Sequence, residues 1–139
     1  MPLSKMRYLF SDLKDHAQEL DVRIRRNGRI CVVHLSGDVD KYTCSKLEST
    51  ILGLMEHKEP QVVLGMENVD YIDSSGLRSL VGGLLSIGKQ NGELVIFGAQ
   101  SRVKKALGVT GLSKVLPMFE SESDAISSFA MEAELPLAA

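Results

Sequence analysis

Apolar and polar residues follow two different periods along the chain, and the first folded segment has a period of two. Residues 20–25 alternate apolar with charged side chains, as in a strand with one buried face. Asn27 and Gly28 follow, a dipeptide that favours a hairpin because both residues accept positive φ. Residues 30–35 are apolar on both faces, which is typical of a central strand. The pattern therefore predicts a β-hairpin that leads into the middle of a sheet.

After the hairpin, segments with helical spacing alternate with short apolar runs. The predicted helices are one that begins after the N-cap Thr43 and ends before Pro60, one over 75–90, one over 102–107, and one that begins at Ser121 or Ser123 and includes Phe129. Strands are predicted over 61–66 and 93–97, with a short extended piece around Pro117. Strands that alternate with helices imply a mostly parallel sheet with crossover helices, and the hairpin makes the sheet mixed.

The helical spacing also predicts which side chains are buried. In the helix after Thr43 they are Cys44, Leu47, Ile51, Leu54 and Met55, and in the helix over 75–90 they are Leu77, Leu80, Val81, Leu84 and Leu85. The second of these helices also contains Gly82, Gly83 and Gly88. Each glycine costs about 1 kcal/mol of helix stability relative to alanine, and close packing on a sheet would explain them.

The two ends of the chain differ from the central domain, which we assign to residues 20–130. Residues 1–19 place apolar side chains at helical spacing, and we expect a helical extension that packs on its own domain or serves a dimer or partner. Residues 131–139 are expected to be a frayed tail. Charged residues interrupt the N-terminal stretch where a signal peptide would be apolar, and no apolar run is long enough for a membrane span, so a cytoplasmic protein is expected.

Composition narrows the classes of function. The chain has 139 residues and a formal net charge of −2, so no basic excess points to nucleic acid. Cys31 and Cys44 are too few for a disulfide scaffold and are expected to be reduced core residues. His34 lies in a predicted strand, far in sequence from the other histidines, and is expected to be a hydrogen-bonded core residue rather than a metal ligand.

No phosphate-binding loop, dinucleotide fingerprint, nucleophile elbow or metal-ligand spacing is present, so neither a cofactor nor an ordinary enzyme site is expected. The notable motif is Asp73-Ser74-Ser75-Gly76-Leu77, which follows a buried strand and opens a helix. One interpretation is helix capping by Asp73 or Ser74. The other is a modification site, because free N–H groups and the helix dipole favour an anion at a helix N-terminus.

Residues 71–77 (YIDSSGL) resemble the signature of the anti-anti-sigma factors, the bacterial STAS-domain proteins. Residues 35–40 resemble the loop of that family after its second strand, 94–97 its fourth strand, and 103–119 its V-x-x-x-L-x-x-T-G-L…F stretch. Gly65 departs from the family, which often has an acidic or polar residue there. The resemblance implies an α/β STAS fold, a mixed, mostly parallel sheet of four to five strands with helices mainly on one face.

The resemblance also implies a function. A GHKL-type serine kinase that is an anti-sigma factor would phosphorylate Ser75, the residue before the motif glycine, and a PP2C-type phosphatase would reverse the modification. The unphosphorylated protein would bind the kinase and free a sigma factor. The residues implied to surround the phosphorylation site and bind the partner are Asp38, Asp40, Asp73, Ser74 and Gly76.

Two other functions stay open at this point. The chain could be a STAS subunit of a lipid-transport or stress-signalling complex, since such relatives keep the D-S-x-G-L motif. It could also be a nucleotide hydrolase that uses Ser75 or Asp40, although neither a phosphate-binding loop nor a metal set supports this. The leading interpretation is a regulatory binding module rather than an enzyme, without direct contact to nucleic acid or membrane.

Overall fold

A computed structural model describes residues 19–58 and 61–134, with side chains to Phe129. The predicted N-terminal helix falls on residues outside this part of the chain, as does the end of the predicted tail. The elements in chain order are β1 (Asp21–Asn27), β2 (Ile30–Ser36), α1 (Cys44–Glu56), β3 (Gln61–Asn68), α2 (Ser74–Lys89), β4 (Glu93–Phe97), α3 (Ser101–Val109), a 3-10 turn (Leu112–Lys114), β5 (Met118–Phe119) and α4 (Glu122–Glu134). This order confirms the predicted alternation.

The strands form one mixed sheet in the order β1-β2-β3-β4-β5. β1 pairs with β2 in antiparallel orientation, and every other pair is parallel. The parallel strands point their carboxyl ends to the same edge of the sheet, so the loops that follow β2 and β3 are neighbours. The predicted α/β fold class is confirmed.

Side chains on the two faces of the sheet form two hydrophobic clusters. Alternate residues of β2, β3 and β4 enter each cluster, which is why these strands are apolar on both faces. The larger cluster is covered by α1, α2 and α3, through residues such as Leu47, Leu80 and Leu107. The smaller cluster is covered by α4, through Ala125 and Phe129. Helices therefore lie mainly on one face, as the family resemblance implied.

The buried face of α2 differs from the prediction. Leu80 is buried and Leu77 and Leu84 are partly buried, whereas Val81 and Leu85 are exposed. The fully buried residues of the helix are Gly76, Ser79, Leu80, Gly83 and Ile87. A Cβ atom on Gly83 would lie 2.5 Å from Cδ1 of Ile51 on α1. Gly83 faces inward and packs on α1 rather than on the sheet, whereas Gly82 and Gly88 are exposed and a Cβ atom at either would meet nothing within 4 Å. The burial predicted from helical spacing was wrong for Val81 and Leu85.

The hairpin is confirmed, although its turn is shifted by one residue. Asn27 pairs with Ile30, so the two turn residues are Gly28 and Arg29. Gly28 has a φ of 62° and Asn27 does not have positive φ. Glycine with positive φ at the first central position matches the type II′ pattern, so the expectation that Asn27 shares the positive φ was wrong.

Gly65 lies in β3 on the face that α4 covers. A Cβ atom there would lie 2.7 Å from Cζ of Phe97 and 3.0 Å from Nδ1 of His34, and these two rings make an edge-to-face contact. The Nε2 atom of His34 lies 3.2 Å from Oε1 of Glu122, so the predicted hydrogen bond is present. The side chain is 39% exposed, so the predicted core position of His34 was wrong. The absence of a side chain at position 65 leaves room for both rings.

The two cysteines occupy different environments. Cys31 is buried in β2, as predicted. Cys44 is only partly buried because it occupies the first turn of α1, where its Sγ atom lies 3.7 Å from the carbonyl oxygen of Lys41. The prediction of a core position for Cys44 was therefore wrong.

Candidate functional site

Two loops at the carboxyl ends of β2 and β3 are joined into one surface. The loop 37–43 follows β2, and the loop 69–73 follows β3. The N–H of Val39 donates to the carbonyl of Tyr71 at 3.0 Å, and the N–H of Asp73 donates to the carbonyl of Val39 at 3.1 Å. Val39 and Ile72 form an isolated parallel bridge and are both buried. The backbone bonds extend the sheet into the loops and fix the start of α2.

Asp73 connects the two loops through its carboxylate. Its Oδ1 atom accepts the N–H of Gly76 at 3.0 Å, which caps α2. Its Oδ2 atom accepts the N–H of Lys41 at 3.2 Å, from the other loop. Of the two predicted capping residues, Asp73 fills the role and Ser74 does not. The motif aspartate therefore holds both loops relative to the helix.

Ser74 and Ser75 occupy the first two helical positions of α2. Ser74 is exposed and Ser75 is partly exposed. Neither hydroxyl makes a hydrogen bond within the part of the chain that the structure describes. Because Asp73 already caps the helix, both hydroxyls are available to an external group, beside the positive end of the helix dipole.

Gly76 is buried where the two loops meet. A Cβ atom there would lie 2.4 Å from the carbonyl oxygen of Val39 and 2.7 Å from Cγ1 of Ile72. Real Cβ atoms do not come this close to backbone, so a side chain at position 76 would separate α2 from the loop 37–43. The glycine of the motif is thus required by the junction of the two loops.

Asp40 and Thr43 organise the loop 37–43 internally. The Oδ1 atom of Asp40 accepts the N–H groups of Tyr42 at 2.9 Å and Thr43 at 3.1 Å. The hydroxyl of Thr43 donates to the carbonyl of Asp38 at 2.7 Å and accepts the N–H of Asp40 at 3.0 Å. Thr43 precedes α1 as predicted, but its side chain makes no capping bond. The carboxylate of Asp40 serves its own loop, next to Lys41, whose N–H reaches Asp73.

Asp38 lies in a negative environment. Partial burial, followed by the nearby charges of Asp40 and Asp70, raises the pKa of Asp38 above its ordinary value of 3.8. Sequence reasoning did not single out Asp70, although it stands three residues before the motif aspartate. The surface formed by the loops 37–43 and 69–73 is thus acidic before any modification.

A partly buried polar contact joins α1 to α2. The hydroxyl of Ser79 lies 2.8 Å from Oε1 of Glu48 and 3.1 Å from the carbonyl oxygen of Ser75, and it has one proton to donate to either. Ser79 is 2% exposed. The four-residue spacing of Ser75 and Ser79 was visible in the sequence, whereas the contact with Glu48 depends on how the two helices pack.

Other kinds of site are not found in the described residues. No group of three His, Cys, Asp or Glu side chains is placed to hold a metal ion there. Among the helices described, none combines the length and apolar character needed to cross a bilayer.

The family model of the STAS domain matches residues 21–125. The chain belongs to the STAS domain family. The anti-sigma F factor antagonist of Paenibacillus polymyxa is 25% identical over 109 residues, which are 78% of this chain and 93% of the relative. The anti-sigma-B factor antagonist of Staphylococcus aureus is 28% identical over 101 residues, 73% of this chain and 94% of the relative.

Solved structures share this STAS fold. The Bacillus cell fate determinant SpoIIAA in its phosphorylated form superposes with a TM-score of 0.65 and 18% identity, covering 78% of this chain and 99% of that chain. At this level of identity the likeness concerns the fold, which agrees with the mixed five-stranded sheet described above.

Proposed function

We propose that this STAS domain is an anti-sigma factor antagonist that is switched off by phosphorylation of Ser75. In its unphosphorylated form it binds an anti-sigma factor in the cytoplasm and frees a sigma factor. The observation that carries the proposal is the free hydroxyl of Ser75 at the start of α2, where Asp73 has taken over the capping role. The names of the two curated relatives support the same function.

The partner we propose is a GHKL-type serine kinase that is itself the anti-sigma factor. The Oγ atom of Ser75 would attack the γ-phosphorus of ATP, the bond to ADP would break, and the hydroxyl proton would leave. A PP2C-type phosphatase would hydrolyse the phosphoserine. The STAS domain is the substrate in both reactions and catalyses neither.

The acidic character of the surface explains why phosphorylation would release the partner. Asp38, Asp40 and Asp70 already place negative charge on the loops. A phosphate adds a charge of about −1.5 to −2 at neutral pH. Added negative charge in an interface costs binding energy through repulsion and lost hydration. The fold need not change, because a helix N-terminus accepts an anion.

The acceptor residue can be tested with a matched pair of variants. Purified wild type, Ser75→Ala and Ser74→Ala are each incubated with Mg-ATP and the GHKL-type kinases of the same organism, and phosphopeptides are analysed by mass spectrometry. We expect phosphate on the wild type and on Ser74→Ala, and none on Ser75→Ala. Phosphorylation of Ser75→Ala but not of Ser74→Ala would move the acceptor by one residue. No phosphorylation of any of the three would remove the proposed switch.

The switch itself can be tested by titration calorimetry with the kinase that phosphorylates the wild type. Ser75→Ala should bind like the wild type. Ser75→Asp should bind about 2–3 kcal/mol more weakly, roughly 30- to 150-fold in affinity, because it adds negative charge to an acidic interface. Equal affinity of Ser75→Asp and the wild type would contradict the electrostatic explanation, whichever serine is modified.

A further inference from the structure

An arginine that has no partner among the described residues lies about one helical turn after Ser75. Arg78 is exposed on α2, and its side chain makes no hydrogen bond or ion pair with any residue of the described chain. The carboxylate of Asp73, at the start of the same helix, is engaged by two backbone N–H groups. The guanidinium of Arg78 is therefore available to a negative group that arrives on the same surface.

Helix geometry places Arg78 beside Ser75. Both residues belong to the continuous helix α2. Residues three apart on a helix point in directions about 60° apart, with Cβ atoms about 5–6 Å from each other. The planar guanidinium is long enough to span this gap and presents paired N–H donors that match phosphate oxygens.

The cation of the loop 37–43 is already in contact with an aromatic ring. The Nζ atom of Lys41 lies 5.0 Å from the centre of the Tyr42 ring, a cation–π contact. Lys41 contributes its backbone N–H to Asp73. The ammonium group of Lys41 would lose this contact if it moved to a phosphate, whereas the guanidinium of Arg78 has no hydrogen bond or ion pair to lose within the described residues.

We propose that the guanidinium of Arg78 binds the phosphate of phosphorylated Ser75, so that this chain's own cation holds the phosphoserine against α2. The inference deepens the proposed function and rests on it for its biological meaning. The bond would offset part of the repulsion that the phosphate meets from Asp38, Asp40, Asp70 and Asp73. It would also fix the phosphate on the surface that faces the partner.

The test measures the second pKa of the phosphate. Phosphoserine is installed at position 75 during translation by a suppressor tRNA, so that the sample does not depend on any kinase. Phosphorus NMR then follows the phosphate signal through a pH titration in otherwise wild-type protein and in Arg78→Gln. A nearby positive charge favours the dianion and lowers this pKa. We therefore expect a pKa higher by about 0.3 pH units or more in Arg78→Gln.

The control is Lys89→Gln in the same helix. Lys89 lies in the last turn of α2, 14 residues after Ser75 and therefore about 21 Å along the helix axis. This exceeds the Debye length of about 8 Å at physiological salt, so we expect an unchanged pKa. The Arg78→Lys variant keeps the charge but loses the paired donors, and we expect a value between those of the wild type and Arg78→Gln.

Two results would overturn the inference: equal pKa values in the wild type and Arg78→Gln, or an equal rise in Lys89→Gln, which would indicate only the general effect of net charge. Failure of kinases to phosphorylate Ser75 would count against the proposed function alone. The NMR comparison on installed phosphoserine would still decide whether Arg78 binds the phosphate.

Discussion

The helices α1 and α2 both start at the carboxyl end of a parallel strand, yet they use their first hydroxyl groups in opposite ways. The hydroxyl of Thr43, before α1, is buried and is bonded to backbone groups of Asp38 and Asp40. The hydroxyls of Ser74 and Ser75, in the first turn of α2, are accessible and make no hydrogen bond in the described chain. Similar residue types thus hold a loop together at one helix and stay free at the other.

The difference depends on which groups surround each hydroxyl. At α2 the carboxylate of Asp73 accepts the N–H of Gly76, so the serines that follow have no capping role. At α1 the carboxylate of Asp40 accepts N–H groups inside the preceding turn, and Thr43 completes that turn. The serine hydroxyls of α2 are free because Asp73 caps that helix, whereas the hydroxyl of Thr43 is occupied by backbone groups of its own loop although it does not cap α1.

The largest effect is expected from a side chain at the junction of the loops. In Gly76→Ala the new methyl group would overlap the carbonyl oxygen of Val39. We expect a loss of about 3 kcal/mol in the free energy of unfolding, as in overpacked cores. Equilibrium unfolding in urea measures this loss as the difference in the free energy of unfolding between Gly76→Ala and the wild type.

Gly82→Ala in the same helix is the matched control, because a Cβ atom at Gly82 meets nothing within 4 Å. It should raise stability by up to about 1 kcal/mol through helix propensity. Similar losses of stability in Gly76→Ala and Gly82→Ala would show that the junction is looser than described.

The bonded hydroxyl before α1 gives the next largest effect. Thr43→Val keeps the shape of the side chain but leaves the carbonyl of Asp38 and the N–H of Asp40 without a partner. We expect a loss of about 2 kcal/mol, since unsatisfied buried groups cost about 1–3 kcal/mol. Thr43→Ser retains the hydroxyl and should recover most of the loss in thermal denaturation. If Thr43→Ser is as unstable as Thr43→Val, the hydroxyl is not what stabilises the loop.

Much of the fold could be predicted because local patterns and tertiary packing agree. The apolar runs 30–35 and 61–66 became central strands with both faces covered, and Asp73 could be proposed as a cap from its position before a helix. The motif 71–77 was recognisable because its residues are consecutive in the chain, although the roles of Gly76 and Asp73 also depend on Val39 and Lys41 in the loop 37–43.

Features that depend on how elements approach one another could not be predicted. Val81 and Leu85 were expected inside from their helical spacing, but α2 turns Gly83 toward Ile51 of α1 and leaves both side chains exposed. The contact between Glu48 and Ser79 joins residues 31 apart in sequence. Neither has a local signal in the sequence.

A smaller effect separates the two residues that were alternatives for the cap of α2. Asp73→Ala removes the acceptor for Gly76 and the bond to Lys41, and we expect a loss of about 1.5 kcal/mol. Ser74→Ala should change the free energy of unfolding by less than about 0.5 kcal/mol, as at other exposed positions. Chemical denaturation of both variants tests this, and a loss in Ser74→Ala as large as that in Asp73→Ala would show that Ser74 shares the cap.

The smallest effect concerns the acidic loop that contains Thr43. Partial burial and the charges of Asp40 and Asp70 raise the pKa of Asp38 above 3.8 in the folded protein. At pH values between the pKa of Asp38 in the unfolded state and its pKa in the folded state, the folded state binds more protons than the unfolded state. Ionisation of Asp38 therefore lowers the free energy of unfolding as the pH rises through this window, and the full loss is reached above the pKa of the folded state. Asp38→Asn should therefore be slightly more stable than the wild type at neutral pH and equal to it below about pH 3, where the carboxyl is protonated in both states.

Thermal denaturation of both proteins from about pH 3 to 7 measures the difference. A gap that stays constant with pH, or a less stable Asp38→Asn at neutral pH, would contradict a raised pKa. In that case the negative charge on the loop would not oppose folding, and its cost would arise only when a phosphate or a partner arrives.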